Sequence, residues 1–194
     1  MCGIVGYIGS REASPILLEG LARLSYRGYD SAGVAFFTAQ GAVKTLRTTE
    51  RVERLKQMAA AETDGGTAIA HTRWATHGGV TLQNAHPHTV GRVTLVHNGI
   101  IENYERLRAE LGYAPVSGTD TEIAAALIDS EYGADPVRAL EAAAARLEGS
   151  YALAVIFSDR PGLIYAMRRE SPLALMRTAD GCFLSSDPAT FPAC

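Results

Sequence analysis

The chain has 194 residues, of which 47% are hydrophobic and 20% charged, and its formal net charge at pH 7 is −3. These values are typical of a globular domain long enough to bury a core, and they exclude a disordered or fibrous chain. The slightly acidic balance excludes the basic footprint expected of proteins that bind nucleic acid or an anionic membrane.

Strand and helix patterns alternate through the first hundred residues. Short apolar runs predict strands, whereas apolar residues that recur at helical spacing predict helices. In chain order, these patterns predict a strand at 4–8, a helix opened by Pro15, a hairpin of strands 34–38 and 43–48, an amphipathic helix at 51–61, and core strands at 67–71 and 93–97.

The second half of the chain begins with helices and ends with strands. The predicted helices are 102–111, one that begins with the capping-box signature Thr119-x-x-Glu122, and 136–147. The predicted strands are 151–157, 163–167, 173–176 and 182–184. No repeat or low-complexity linker separates them. The order of elements therefore predicts one mixed α and β domain, whose sheets carry helices on their outer faces.

Cys2 directly follows the initiator methionine, so removal of Met1 would leave a thiol and a free α-amine on one residue. An α-amine has a pKa of about 7.7–8.0 and can accept a proton near neutral pH. A nucleophile beside its own base is the arrangement of N-terminal covalent catalysis. The alternative is that Cys2 is simply an early residue of an apolar first strand.

The three cysteines are too few and too scattered for a disulfide framework, which favours a cytoplasmic protein. The apolar opening lacks the basic start of a signal peptide, and no apolar run approaches the ~20 residues of a membrane span. We therefore expect no membrane association.

Three segments are rich in side chains that bind polar ligands, and we expect them to be loops at the ends of strands. These segments are 71–79, 97–103 and 118–122. All five histidines fall between positions 71 and 97, which raises the question of a zinc site. Their spacing is not that of structural zinc motifs, and no phosphate-binding or dinucleotide-binding glycine motif is present, so we expect neither metal nor cofactor.

Five motifs stand in an order that is specific to one family. They are Cys2-Gly-Ile-Val-Gly, Tyr26-Arg-Gly-Tyr-Asp-Ser-Ala-Gly, His71-Thr-Arg-Trp-Ala-Thr-His-Gly, His97-Asn-Gly-Ile-Ile-Glu-Asn and Thr119-Asp-Thr-Glu. Over essentially its whole length the chain resembles the class II, N-terminal-nucleophile glutamine amidotransferases, and among them the glutaminase half of glucosamine-6-phosphate synthases. The resemblance implies an α+β fold, an αββα sandwich of two antiparallel sheets between helical layers.

The resemblance also assigns the reacting groups. Cys2 would attack the side-chain amide of L-glutamine, with its own amine as base, to give a thioester and ammonia. The Asn98 side chain and the Gly99 backbone N–H would stabilise the tetrahedral oxyanion. Taken alone, Asn98-Gly99 is a common turn dipeptide, and a turn is the alternative.

Substrate-binding roles follow from the same resemblance. Arg73 would hold the α-carboxylate of glutamine and Asp120 its α-ammonium group, whereas Thr76 and His77 would contact it from their loop. The alternatives are a surface ion pair for Arg73 and, for Asp120, an acid that complements the dipole of a helix.

Two further residues are assigned near the site. Trp74 would cover it as part of a glycine-flanked loop, although a lone tryptophan can equally belong to a core. Arg27 would brace the N-terminus.

The whole enzymes of the family also carry sugar-isomerase domains that bind fructose 6-phosphate, and the resemblance implies that such domains, or a separate acceptor subunit, receive the ammonia. We expect residues 1–194 to be a glutaminase domain, shortened at its C-terminus, of a homodimeric enzyme. The alternative is a stand-alone or degenerate module that serves another amidotransferase or only binds an amino acid. Such a module is expected to lose Cys2, Asn98 or Asp120, and all three are present.

Overall fold

The computed structural model describes residues 2–75 and 78–192. This part of the chain forms ten strands and five α-helices. The strands are β1 (Gly3–Gly9), β2 (Ser31–Thr38), β3 (Val43–Thr48), β4 (Asp64–Arg73), β5 (His88–Val90), β6 (Val93–Ile101), β7 (Gly149–Phe157), β8 (Tyr165–Arg169), β9 (Ala174–Arg177) and β10 (Gly181–Ser185). The helices are α1 (Ala13–Leu24), α2 (Val52–Ala59), α3 (Tyr104–Leu111), α4 (Asp120–Glu131) and α5 (Pro136–Arg146).

The strands form two antiparallel sheets. One sheet has six strands in the order β3-β2-β4-β1-β10-β9, and the other has four in the order β5-β6-β7-β8. The first strand of the chain therefore lies inside the larger sheet, between β4 and β10. This position fixes the backbone immediately after Cys2 on both sides.

Three layers of buried side chains hold the molecule together. The layer between the sheets is small and aliphatic, with Ile4 and Ile69 from one sheet meeting Val96 and Ile156 from the other. The outer face of the six-stranded sheet packs against α1 and α2, and that of the four-stranded sheet packs against α3, α4 and α5. The predicted four-layer αββα sandwich is confirmed.

The main difference from the predicted elements is the length of two central strands. β4 runs to Arg73 and β6 runs to Ile101, with β6 paired to β7 along its whole length. Most of the polar residues at 71–73 and 97–101 therefore lie in strands, and the prediction that these segments are loops was wrong. Period-two patterning failed here because glycine and polar residues occupy strand positions that face the site.

Helix α1 begins at Ala13, before Pro15, because a distant carboxylate satisfies its first donors. The oxygens of Asp64 accept hydrogen bonds from the backbone N–H groups of Ala13 and Ser14 at 2.6 and 2.7 Å. Asp64 thus performs the function of an N-cap side chain from the start of β4.

The capping box predicted for α4 forms only in part. The Thr119 hydroxyl accepts from the backbone N–H of Glu122 at 3.4 Å, as expected. The Glu122 carboxylate instead accepts from the N–H groups of Val116 and Ser117 at 2.9 and 2.6 Å. The loop before α4 is therefore fastened to the helix that carries Asp120. Among the described residues, no helix is long and apolar enough to cross a membrane.

Candidate active site

Cys2 lies at the edge of the two sheets, beside the end of β4. Its sulfur accepts a hydrogen bond from the backbone N–H of Trp74 at 3.3 Å, and its S–H faces the Trp74 carbonyl oxygen at 3.6 Å. Burial raises the pKa of the Cys2 thiol, although the Trp74 hydrogen bond and the Arg73 charge oppose the shift. A thiol must lose its proton before it can act as a nucleophile, so covalent chemistry at Cys2 would require a base beside it.

Asn98 and Gly99 lie inside β6, opposite Ala152 and Tyr151 of β7, and not in a turn. The Nδ2 atom of Asn98 donates to the backbone carbonyl of Cys2 at 3.4 Å. Gly99 has a φ of +126°, and a Cβ at this position would overlap the carbonyl oxygen of Ser150. The position therefore requires glycine, and the turn interpretation of the dipeptide was wrong.

A cleft of about 460 Å³ opens beside these groups. Its lining comes from both sheets and from the segments around them: Cys2, Arg27, Trp74, Asn98, Gly99, Ile100, Ser171, Pro172 and Ser186. A second and much narrower pocket, of about 20 Å³, also reaches Cys2 and Gly99 and is lined by Arg73 and Asp120. The structure thus brings Cys2, Asn98, Gly99, Arg73 and Asp120 together from four separate segments.

Arg73 is almost fully buried at the end of β4. Its guanidinium donates to the backbone carbonyls of Gly79 and Gly78, both at 3.3 Å. Two of its donors therefore already bind oxygen atoms in the geometry of a fork, which is also the geometry of carboxylate recognition.

Asp120 is the first residue of α4 and is also nearly buried. One carboxylate oxygen accepts from the backbone N–H of Ile101 at 2.8 Å, and the other lies 3.8 Å from Nδ1 of His97. Asp120 thus joins the start of α4 to the end of β6, a contact that the sequence did not predict. Its first-turn position also complements the helix dipole, as the structural alternative predicts, whereas binding of an ammonium group by Asp120 stays a prediction.

Trp74 follows β4, and its side chain is 51% exposed, so it is not a core residue. The ring lies over Gly28, which has a φ of +73°, and a Cβ on Gly28 would lie 2.6 Å from the ring carbon Cζ3. Arg27 lies in the cleft and forms an ion pair with Asp187, with a further hydrogen bond to the Tyr26 hydroxyl at 3.0 Å. Thr76 and His77 lie outside the described residues.

Sequence reasoning missed two residues that support the site. Asp30 accepts a hydrogen bond from the backbone N–H of Ala75 at 2.5 Å, and Asp187 pairs with Arg27. Asp30 belongs to the quoted motif that begins at Tyr26, so this motif could have indicated its role near the site. Asp187 is 160 positions from Arg27, so no local pattern could have connected them.

The histidines form a buried group behind the site. The rings of His71 and His86 are 4.2 Å apart, and those of His86 and His88 are 4.9 Å apart. Burial lowers the pKa of all four described histidines, that of His71 to about 3 and that of His88 to about 4. Over the described parts of the chain, no three His, Cys, Asp or Glu side chains are placed to hold a metal ion.

Comparison with known proteins decides the family. The sequence model described as "Glutamine amidotransferase domain" matches residues 71–193. The chain belongs to the glutamine amidotransferase domain family. This assignment agrees with the family that the sequence motifs indicated.

Curated relatives of this amidotransferase domain carry the name glutamine–fructose-6-phosphate aminotransferase (isomerizing). The protein from Bordetella pertussis is 48% identical over 197 residues, which cover 96% of this chain and 32% of the relative. The protein from Clostridium tetani is 47% identical over 193 residues, with the same coverage. The chain thus spans about a third of the length of these relatives.

Two solved structures share the fold of this chain. The glutamine phosphoribosylpyrophosphate amidotransferase from B. subtilis, complexed with ADP and GMP, superimposes with a TM-score of 0.84 at 24% identity, over 98% of this chain and 43% of that one. A glutamine aminotransferase class-II domain protein from Silicibacter pomeroyi gives a TM-score of 0.66 at 21% identity, over 96% and 89% of the two chains. At these identities, the likeness establishes the architecture alone.

Proposed function

We propose that this domain hydrolyses the side-chain amide of L-glutamine to glutamate and ammonia, with Cys2 as the nucleophile. The observation that carries the proposal is that Cys2 and Asn98 line one cleft, where Nδ2 of Asn98 donates to the backbone carbonyl of Cys2. A nucleophile and an oxyanion donor are thereby offered to the same carbonyl group.

The chemistry requires that Met1 is removed, so that the α-amine of Cys2 becomes the base. This amine takes the thiol proton while sulfur attacks the side-chain carbonyl carbon of glutamine. The tetrahedral intermediate then collapses, its C–N bond breaks, and the proton passes to the leaving nitrogen as ammonia forms. Water, deprotonated by the same amine, attacks the resulting thioester, and glutamate leaves as the thiol is restored.

The oxyanion of each tetrahedral intermediate needs donors already in position. Asn98 offers two N–H bonds on Nδ2, of which one can remain with the Cys2 carbonyl while the other turns to the oxyanion. The Gly99 N–H is the second donor in this proposal. In enzymes that form tetrahedral intermediates, removal of one oxyanion-hole donor lowers kcat by roughly 10²–10³.

Selection of glutamine rests on the two charged residues of the narrow pocket. Arg73 binds the α-carboxylate in place of the glycine carbonyls that it now contacts, and Asp120 binds the α-ammonium group. Thr76 and His77 contact the substrate from the segment after Trp74, while Trp74 covers the cleft and Arg27 braces the N-terminus.

The fate of the ammonia follows from the relatives' names. We propose that a full-length protein uses it to convert fructose 6-phosphate to glucosamine 6-phosphate on sugar-isomerase domains beyond this chain. In this proposal the full-length enzyme is a cytoplasmic homodimer. The glutaminase step itself involves only residues of this domain.

The experiment combines intact mass with a nucleophile variant. Purified protein is expected to lack Met1 and to release ammonia from glutamine, and a diazoketone analogue of glutamine should label Cys2. Cys182, a second free thiol that is also half-buried, is the internal control and should remain unlabelled. Cys2→Ala should fold and be inactive; glutamine hydrolysis by this variant at the wild-type rate would overturn the proposal.

A further inference from the structure

His71 contacts the proposed oxyanion donor from the opposite sheet. Its Nε2 atom lies 3.0 Å from Oδ1 of Asn98, and its ring is fully buried. His71 belongs to β4 of the larger sheet, whereas Asn98 belongs to β6 of the smaller one. This hydrogen bond therefore joins the two sheets directly behind Cys2.

A side-chain amide has a donor end and an acceptor end, and only the donor end can stabilise an oxyanion. If the Asn98 amide were rotated by 180°, Oδ1 would face the developing negative charge and oppose the reaction. An N–H at Nε2 of His71 makes this rotation unfavourable, because it would then meet the NH₂ group of the amide. The Cys2 carbonyl, which accepts from Nδ2 at 3.4 Å, favours the same orientation from the other side.

The protonation state of His71 decides whether its ring can donate to Oδ1 of Asn98. Burial lowers its pKa to about 3, so at neutral pH the ring carries one N–H. Only the tautomer with that proton on Nε2 can donate to Oδ1. The contact between Nε2 of His71 and Oδ1 of Asn98 therefore requires the tautomer with the proton on Nε2.

We propose that His71 is a positioning residue, which holds the Asn98 amide with its NH₂ end toward the reacting carbonyl of the substrate. The proposal rests on the proposed glutaminase function. His71 touches neither the substrate nor the sulfur in this scheme, and it acts only through Asn98.

Two substitutions distinguish this positioning role from a role in packing alone. His71→Gln places an amide nitrogen near the position of Nε2, so it keeps a donor for Oδ1 of Asn98. His71→Asn is shorter, and its amide reaches only the position of Nδ1. We expect His71→Asn to lower kcat for glutamine by roughly 10–100-fold with little change in KM, and His71→Gln to recover most of this loss.

A double-mutant cycle with Asn98→Ala tests whether His71 acts through Asn98. Asn98→Ala alone should lower kcat by roughly 10²–10³, and adding His71→Asn to it should lower kcat no further. His88→Gln is the matched control, because it replaces another buried histidine, one that bonds to Thr119 instead of Asn98. Its effect on kcat should be small and should persist unchanged in the Asn98→Ala background.

The ring nitrogens provide a readout that does not depend on turnover. Long-range ¹H–¹⁵N correlation spectra of the labelled wild-type protein should show His71 protonated at Nε2. Protonation at Nδ1, an equal loss in His71→Gln and His71→Asn, or an undiminished effect of His71→Asn in Asn98→Ala would each overturn the proposal. Wild-type protein without glutaminase activity would instead refute the proposed function, and the tautomer measurement would still decide the orientation.

Discussion

The carboxylate of Asp30 accepts a hydrogen bond from the backbone N–H of Ala75 at 2.5 Å, while the backbone N–H of Asp30 donates to the carbonyl of Arg73 at 2.8 Å. The two bonds hold both sides of Trp74, whose N–H contacts the sulfur of Cys2. Asp30 thereby fixes the backbone beside Cys2.

Replacing Asp30 with alanine should weaken both the site and the fold around it. The Ala75 N–H would lose a charge-assisted partner that contributes on the order of 1.5–3 kcal/mol. We expect kcat/KM for glutamine to fall by at least about tenfold, the size of that contribution at its lower end. Steady-state kinetics and thermal melts measure the two effects. Asp180→Ala removes a mostly exposed carboxylate as the control, and equal kinetics for both variants would contradict this role.

Gly28 provides a test of the position of Trp74, the chain's single tryptophan. Gly28→Ala would place a methyl group against the ring and would strain a backbone that has a φ of +73°. We expect the ring to move further into solvent, so the tryptophan emission should shift to longer wavelength and glutamine hydrolysis should weaken. Gly41→Ala is the matched control, because Gly41 also has a positive φ but has open space around it. An unchanged emission spectrum in Gly28→Ala would show that the ring does not depend on this contact.

The individual helices and strands could be predicted because their signals are local, whereas the four-layer αββα arrangement was implied by the resemblance to the family. The apolar runs of β1, β4, β6 and β7 and the amphipathic face of α2 each reveal the element that they form. Motif order then identified the family, and with it the residues that meet in the cleft. None of this required knowledge of distant contacts.

The remaining features depend on contacts between distant segments. Asp64 starts α1 from about fifty positions away, and Asp120 satisfies the N–H of Ile101 on another element. Asn98-Gly99 has the composition of a turn, yet pairing with β7 along the whole of β6 keeps it in a strand. The turn propensity of Asn98-Gly99 predicted the wrong structure, because the hydrogen bonds between β6 and β7 outweigh it.

The buried histidines should make the fold sensitive to mild acid. Their pKa values are lowered in the native protein, so below about pH 6.5 the unfolded chain binds more protons than the folded one. Stability is therefore fully present above about pH 6.5 and falls as the pH drops toward the native values, about 3 for His71 and about 4 for His88. Urea unfolding between about pH 5 and 6.5 measures this dependence before carboxylates titrate.

A single substitution checks the source of that pH dependence. His86→Gln should reduce the slope of unfolding free energy against pH in this window by about one proton, or ~1.4 kcal/mol per pH unit. Near pH 7 the contribution of the histidines to the slope should be close to zero in both proteins, because the histidines are then neutral in both states. A wild-type stability that is constant down to about pH 5 would show that these histidines are not buried in solution.

Arg73 and Asp120 line one pocket with opposite charges, as capture of a zwitterion requires. Asp120→Asn keeps an oxygen that can accept from Ile101 but removes the charge that would bind the α-ammonium group. We expect KM for glutamine to rise by roughly 10–100-fold, from a charge-assisted bond on the order of 1.5–3 kcal/mol, with little change in melting temperature. Glutaric acid monoamide, which lacks the α-amine, should be affected much less. Arg73→Lys should weaken both substrates, because an ammonium group cannot form the two parallel bonds of the guanidinium fork.

A purely structural role of Asp120 predicts a different pattern of kinetics and stability. Variants of Asp120 and Glu122 therefore distinguish a structural role from substrate binding. If Asp120 only anchors Ile101 and starts α4, Asp120→Asn should leave kcat/KM for glutamine unchanged. Asp120→Ala should then lower the melting temperature, because the buried Ile101 N–H loses its partner at a cost of about 1–3 kcal/mol. Glu122→Gln, two residues along the same helix, is the control for stability, because Glu122 fastens the preceding loop through Val116 and Ser117. A rise in KM in Asp120→Asn that is absent from Glu122→Gln would place the charge of Asp120 on the substrate. Equal kinetics in the two variants would remove Asp120 from substrate binding.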